Sequence, residues 1–335
     1  MSGPRKIAVV TGGAGFIGSH MVDLLLERDY RVRVIDNLVV GKESNLAHHR
    51  HNSDLTVAVR DIRHCQPGDP LFGDVDFVFH FAGLGDVVPS IEHPLEYMSV
   101  NVQGTVNMLE CARHAEIGKF LYSASSTCYG LAATPTGEDH PISPQHPYAL
   151  SKFLGEQATL HWHKVYRLPA NTMRTFNAYG TRRASGEYGG AIGVFLKQKL
   201  AGKPFTVVGD GTQTRDFIFV SDVAAAFLLA AETKISGQTW NLGAGNPQSV
   251  NRLIELLGGP VIHTPNRPGE PDCTWANIAK IQRDLGWKQQ VSFEDGVARI
   301  LAEIDYWRDA PLWEPDSIAK ATAGWFKALS SEAKS

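Results

Sequence analysis

The stretch Ile7-Ala8-Val9-Val10-Thr11-Gly12-Gly13-Ala14-Gly15-Phe16-Ile17-Gly18-Ser19-His20 decides the fold. Its apolar opening reads as a buried strand, the glycines break it, and a helical pattern follows at once. Gly12, Gly15 and Gly18 carry no Cβ, so the backbone there can turn sharply and approach a pyrophosphate. The charge of that group suits the free N–H groups at a helix start. These three glycines, with the first helical residues Phe16 and Ile17, are candidate dinucleotide contacts.

The glycines gain weight from their surroundings. Asp36 ends the next strand, 32–35, about 20 residues downstream, as dinucleotide binding requires. A carboxylate there accepts both hydroxyls of an adenosine ribose and repels a 2′-phosphate, so NAD is expected over NADP. Arg31, Arg33 and Lys42 are close in sequence and oppose that preference. Asn37 adjoins Asp36 as a further cofactor candidate. Asp61, with Ile62, follows the third strand and reads equally as an acceptor for the adenine amino group or as a loop cap.

Working outward, strand-like runs at 6–11, 32–35, 56–60, 75–81, 119–123 and 170–175 alternate with helical patterns at 21–28, 94–115 and 151–167. Such alternation predicts an α/β fold of the Rossmann type, a doubly wound parallel sheet. Residues 1–175 form the dinucleotide-binding domain in this reading. Residues 176–335, richer in Gly, Thr and Pro loops, form mainly a smaller C-terminal substrate-binding lobe. The two interleave, because strand-like segments return within 217–245, at 217–220 and 239–242. A last helix at 316–329 places Ile318, Trp325 and Leu329 near one face.

The 335-residue chain has a formal charge of −3 and no run of Lys or Arg, so neither nucleic acid nor an acidic membrane surface is expected as a partner. Cys65, Cys111, Cys128 and Cys273 lie far apart without a Cys-x-x-Cys pair, which predicts buried reduced thiols and no metal site. The apolar stretch 7–10 is too short for a secretion signal, and the longest apolar run, 223–231, is too short to span a bilayer. A soluble, cytoplasmic protein is expected.

Tyr148 and Lys152 lie four residues apart at the opening of the 151–167 helix, on one face. A free tyrosine, with a pKa of about 10, is a poor base near neutrality. A nearby ammonium and the positive nicotinamide ring of NAD favour the phenolate and are expected to lower that value. Tyr148 then takes a proton from a substrate hydroxyl while hydride passes to the cofactor.

Three segments carry a specific resemblance: the glycine loop 12–18, His80-Phe81-Ala82-Gly83, and Asn101 in Asn101-Val102-Gln103-Gly104-Thr105. Together with Tyr148 and Lys152 they resemble the extended short-chain dehydrogenases, and the likeness covers nearly the whole chain. It implies cofactor contacts from Phe81, Ala82, Gly83 and Asn101. It also places Ser125, by its distance from Tyr129-Gly130, on the family's catalytic hydroxyl, holding the reacting oxygen against Tyr148. Family 4,6-dehydratases carry Asp-Glu just after that hydroxyl, and decarboxylases carry a Glu at the second position. Here Ser126 and Thr127 stand instead, and a hydroxyl cannot do a carboxylate's acid–base work. The chemistry left is oxidation at C4, rotation of the keto-sugar and return of the hydride, a 4-epimerisation of a nucleotide-diphospho-sugar. A dehydratase, decarboxylase or reductase of the same family, and a non-catalytic dinucleotide sensor, are the alternatives.

The resemblance extends into the second lobe. Asn177 and Arg215 match residues that meet the diphosphate, Arg267 and Glu270 match a loop that grips phosphate and ribose, and Val208 offers backbone groups to the base, with UDP favoured. Two guanidinium forks suit a diphosphate better than lysines would. Ser126 is a secondary sugar contact. Two departures stand out: Gly85-Asp86 replaces an epimerase lysine, and Thr274 replaces a large Tyr, which leaves room for an N-acetyl group. The helices 94–115 and 151–167 are those that family members pair into a homodimer.

Overall fold

The computed structural model describes residues 5–183, 190–266 and 270–329. Seven strands form one parallel sheet: β1 (Ile7–Thr11), β2 (Arg31–Asp36), β3 (Leu55–Val59), β4 (Phe77–His80), β5 (Lys119–Ser125), β6 (Ala170–Thr175) and β7 (Thr239–Leu242), in the order β7-β6-β5-β4-β1-β2-β3. Helices cover both faces, and every residue of β4 and β5 is buried. That is why apolar residues in these strands stand side by side, Phe77-Val78-Phe79 and Phe120-Leu121-Tyr122, rather than alternating with exposed polar ones. The strand order reverses between β1 and β4, so a crevice opens at the carboxyl ends of the strands there. Thr11, His80 and Ser125 are the residues at that edge.

Local chemistry moves several boundaries. The first helix, α1 (Phe16–Glu27), starts five residues before the periodic apolar pattern suggests, because Gly15 itself is the N-cap. The expected helix 94–115 runs as Pro94–Met98, a wide turn at Ser99–Gln103 and Gly104–His114. Such a turn carries an extra residue, and this one holds Asn101 buried. The helix that carries Tyr148 and Lys152, α-helix Pro147–Tyr166, begins four residues before 151, since Pro147 fits the first turn and the His146 ring accepts from Ala149 N at 3.2 Å. Tyr148 therefore sits in its first turn.

The two returning segments behave differently. Residues 239–242 join the sheet as β7 beside β6. The segment expected at 217–220 does not: only Ile218–Phe219 is extended, it pairs with Ala178–Tyr179 outside the main sheet, and Val220 already starts the helix Val220–Glu232. That helix contains the longest apolar run and packs on α1 in the core. No helix among the described residues is long and apolar enough to cross a membrane.

Beyond β6 a second core gathers Tyr179, Phe195, Phe205, Phe217, Phe219 and Phe293 beside the strand pair Phe205–Val208 and Val261–Thr264. Three cysteines are buried and Cys273 is half-buried; all four are free thiols. The last helix spans Pro315–Leu329 with Ile318 half-buried, while the side chains of Trp325 and Leu329 lie outside the described residues.

Candidate active site

The glycine loop is held by close approach. Gly12 has φ +68°, and a Cβ on it would stand 2.7 Å from the backbone nitrogen of Ala82. A Cβ on Gly18 would overlap the Gly12 carbonyl oxygen. Asp36, 7% exposed, accepts from Ala14 N at 3.0 Å and from Leu38 N at 2.8 Å. An ionised carboxylate has about four acceptor positions, so two remain, which matches the two hydroxyls of a ribose. The cations that opposed NAD are engaged elsewhere. Arg31 faces Asp54, Arg33 donates to the carbonyls of Leu71 and Gly73, and Lys42 lies 4.9 Å over the Tyr306 ring. The residues present thus fit NAD.

Asp61 caps the turn Ile62–His64, as one of its two readings has it. One oxygen accepts from Arg63 N and Nε, the other from Arg63 Nη2 and Asn37 Nδ2. The Arg63 guanidinium holds its carboxyl well below the usual range. Its acceptor positions are filled, so an adenine contact has to displace one of these donors. Ile62 is buried against Gly104, and the ring of Phe81 packs on Phe227 at 4.8 Å.

A chain of hydrogen bonds connects the loop to the catalytic helix. Ala82 N donates to Thr11 Oγ1 at 3.2 Å, and Thr11 Oγ1 lies 2.6 Å from His80 Nδ1. His80 Nε2 lies 2.9 Å from Thr105 Oγ1, whose own proton goes to the Asn101 carbonyl at 2.7 Å. That last bond fixes the tautomer: Nε2 must donate to Thr105, so Nδ1 accepts from Thr11. Burial pushes His80 down to about 3, so it stays neutral. Asn101 then binds both backbone groups of Leu84 at 2.8 and 3.0 Å and Ser151 Oγ at 2.9 Å. A Cβ on Gly83 would lie 2.8 Å from Asn101 Oδ1 and 3.9 Å from Lys152 Nζ.

Ser125, Tyr148 and Lys152 come together at the end of β5. Ser125 is buried, hydrogen-bonds Tyr148, and lies 2.8 Å from Thr127 Oγ1. Lys152 Nζ sits 4.6 Å over the Tyr122 ring. The electrostatics differ from the sequence expectation in one respect. Burial pushes the Tyr148 phenol up and Lys152 down to about 7. The groups that pull Tyr148 back down are the Ser125 hydrogen bond and the Arg183 guanidinium, not Lys152. A lysine that has lost much of its charge to dehydration is a weak partner for a phenolate. Asp86 is the nearby acid, itself pushed up by burial.

Behind this cluster, Arg174 grips Glu156 with two bonds of 2.8 and 2.6 Å and donates to the Tyr129 hydroxyl at 2.8 Å. Both charges are buried, and removing one partner of such a pair costs about 3–5 kcal/mol. The pair fixes α-helix Pro147–Tyr166 to β6 and to the turn that follows Ser125.

A cavity of about 380 Å³ adjoins the cluster, lined by Asn177, Val208, Arg215 and Glu270 as expected. Arg215 pairs with Glu270 at 3.2 Å. Thr274 does not line it but holds Asn177, donating to Oδ1 at 2.7 Å. The Val208 carbonyl accepts from Gln213 Nε2 at 2.8 Å. Arg267 lies outside the described residues. Arg183, Gln213, Phe217 and the segment around Trp313–Thr322 also line the cavity and went unread. Arg183 had no signal beyond following Arg182, and the last helix showed only an apolar stripe. Among the described residues, Asp23, His48 and His49 alone cluster at metal-ligand spacing, and Arg182 already compensates the Asp23 charge at 2.7 Å.

Comparisons with known proteins place the chain in one enzyme family. The model of the NAD dependent epimerase/dehydratase family matches residues 8–243. A UDP-glucose 4-epimerase of Mycolicibacterium smegmatis is 33% identical over 87% of this chain and 96% of its own length. The UDP-glucuronic acid 4-epimerase of Bacillus cereus, solved with UDP-glucuronic acid and NAD, superposes with a TM-score of 0.83 at 32% identity, covering 90% of this chain and 99% of that one. The UDP-N-acetylglucosamine 4-epimerase of Methanobrevibacter ruminantium, solved with UDP-N-acetylmuramic acid, gives 0.83 at 32% identity over 90% and 100%. Decarboxylases and a 4,6-dehydratase match as well.

Proposed function

The chain belongs to the NAD-dependent epimerase/dehydratase family, and we propose that it inverts C4 of a UDP-linked sugar: a hexose, an N-acetylhexosamine or a hexuronic acid. The observation that carries this reading is the meeting of Ser125, Tyr148 and Lys152 beside a turn whose next residues, Ser126 and Thr127, are neutral. Elimination of water or carbon dioxide needs an acid or base that these hydroxyls cannot supply.

NAD, when bound, supplies the hydride acceptor. The glycine loop, Asp36, the 81–83 loop, Tyr148 and Lys152 would hold it. Against the burial that raises its phenol, Tyr148 would be favoured as phenolate by the positive ring of bound NAD; it then takes the C4 hydroxyl proton while Ser125 fixes the same oxygen, which removes much of the orientational cost. The keto-sugar turns, C4 regains its hydride on the other face, and Tyr148 returns the proton. Arg215 and Asn177 bind the diphosphate, Glu270 the ribose, and the Val208 backbone the base. Thr274, small and turned onto Asn177, leaves space for an acetamido group. Thr274→Tyr is expected to lower kcat/KM for UDP-N-acetylglucosamine about tenfold while sparing UDP-glucose, read by coupled assay.

The exposed Leu95, Leu150, Leu154 and Val165 support a homodimer through the two helices that carry them. Light scattering of the eluted protein tests it. Four free thiols suit a reducing, cytoplasmic setting. The reaction itself is tested by incubating the protein with UDP-glucose, UDP-N-acetylglucosamine and their uronic acids and following products by NMR. A C4 epimer is expected; a 4-keto-6-deoxy sugar or carbon dioxide overturns the reading.

A further inference from the structure

One wall of the substrate cavity comes from the last helix of the described chain. Trp313, Ile318, Ala321 and Thr322 line it, all from the last helix and the residue pair before it. Ile318, Ala321 and Thr322 are spaced three and four apart, so they share one helical face. Thr322 is buried and the other three are half-buried.

The segment is fastened at both ends of the cavity. At its start, Gln198 Nε2 donates to the Trp313 carbonyl at 2.8 Å and to Thr206 Oγ1 at 2.8 Å, and Thr206 is itself a lining residue. Lys203 and Glu314 form an exposed ion pair there at 3.2 Å. Further along, the helix packs against Val87–Glu92, the short helix that starts right after Asp86 and gives Val87 and Val88 to the same cavity. A Cβ on Gly324 would stand 4.0 Å from Glu92 Oε1. Between these fastenings the contact face is small and apolar, and the ion pair at its start is the exposed kind worth under about 1 kcal/mol. A wall laid on the body by a single helix, outside the sheet, can open and close while the body stays folded.

The geometry points to a role for this helix as a strap: Ile318, Ala321 and Thr322 close the nucleotide-sugar cavity and keep the 4-keto-sugar from leaving while it turns. This rests on the C4 reading. In the first half-reaction the C4–H bond breaks and its electron pair goes with hydride to NAD, giving NADH. The hydroxyl proton goes to Tyr148. To turn, the keto-sugar must release the Ser125 and Tyr148 contacts, so a wall has to stand in for them. Escape at that point strands NADH and a protonated Tyr148 with no carbonyl to reduce.

The test compares the full chain with one ended after Ala310, and with Ala321→Pro, which breaks the helix within an intact chain. The probe is whichever UDP-sugar the full chain epimerises. NADH absorbance of the protein and the 4-keto-sugar in the filtrate, by mass spectrometry, are recorded after many turnovers. Both altered proteins are expected to hold about tenfold more NADH than the full chain, with keto-sugar released in step. Complete epimerisation without NADH or keto-sugar in a folded variant overturns the strap, and Ala321→Pro decides if the shortened chain does not fold. Variants that bind NAD and UDP but neither reduce the cofactor nor form epimer, beside an active full chain, also overturn it. A full chain that epimerises none of the four UDP-sugars fails the C4 reading, and the strap falls with it.

Discussion

The cofactor half and the substrate half of this molecule are specified in different currencies. Around NAD the decisive features belong to the backbone: a positive φ at Gly12, absent Cβ atoms at Gly12 and Gly18, and strand ends aligned by the register of a parallel sheet. Around the cavity proposed for the sugar they belong to side chains from scattered segments, Asn177, Arg215, Glu270, Asp86 and Arg183, set on loops and short strands. Backbone features admit few substitutes, because a clash with main chain has no flexible end to move. Side-chain contacts can be traded one at a time. One half can therefore stay fixed while the other changes its substrate.

The contrast predicts unequal losses. Gly18→Val should have the largest effect, since its side chain meets the Gly12 carbonyl; NAD should no longer co-purify, and calorimetry should find binding weakened by about 3 kcal/mol or more. If that variant retains NAD, the division proposed for the two halves fails at its strongest point. Tyr148→Phe should lower kcat by about a thousandfold while the protein keeps NAD and still binds UDP, as loss of a general base does. Arg215→Ala should weaken UDP about ten- to a hundredfold and leave NAD bound, the usual loss for a charge-assisted bond.

The smallest effect is a pH dependence. Lys152, buried, titrates at about 7 in the folded protein against its ordinary value near 10.5. The folded value is the lower one, so the penalty of burying the ammonium is complete below pH 7. It fades as pH rises from there toward 10, where the unfolded chain binds the extra proton. In NAD-stripped protein, urea titrations from pH 7 to 9 should show the wild type gaining stability relative to Lys152→Met. The slope should be at most about 1.4 kcal/mol per pH unit. An equal slope in the two proteins removes the buried-ammonium explanation.

The same division explains how far the sequence could be read. Glycine spacing, the acid ending β2, and the Tyr148–Lys152 interval are local patterns, and each lies where its pattern put it. The wide turn at Ser99–Gln103 was not legible, because an inserted residue in a helix leaves the composition unchanged. Nor was the cation that acts on Tyr148: Arg183 lowers its phenol through charge alone, brought near by the fold and not by a fixed sequence distance. Residues 217–220 had the composition of a sheet strand, but only Ile218–Phe219 is extended and it pairs with Ala178–Tyr179, a choice set by where the chain had already gone. Asp61 carried two readings with equal local logic; the cap is the one the structure displays, and Arg63 and Asn37 at its oxygens are donors that sequence could not place there.

The position of the cavity's last wall also bears on how the protein is made. The loop for the dinucleotide is complete by residue 20 and its sheet, β7 apart, by residue 175, whereas Trp313–Thr322 follow well after both in the chain. Chains fold as they emerge, N-terminal parts first. A growing polypeptide can thus complete the fold that holds its dinucleotide well before the last helix can wall the cavity.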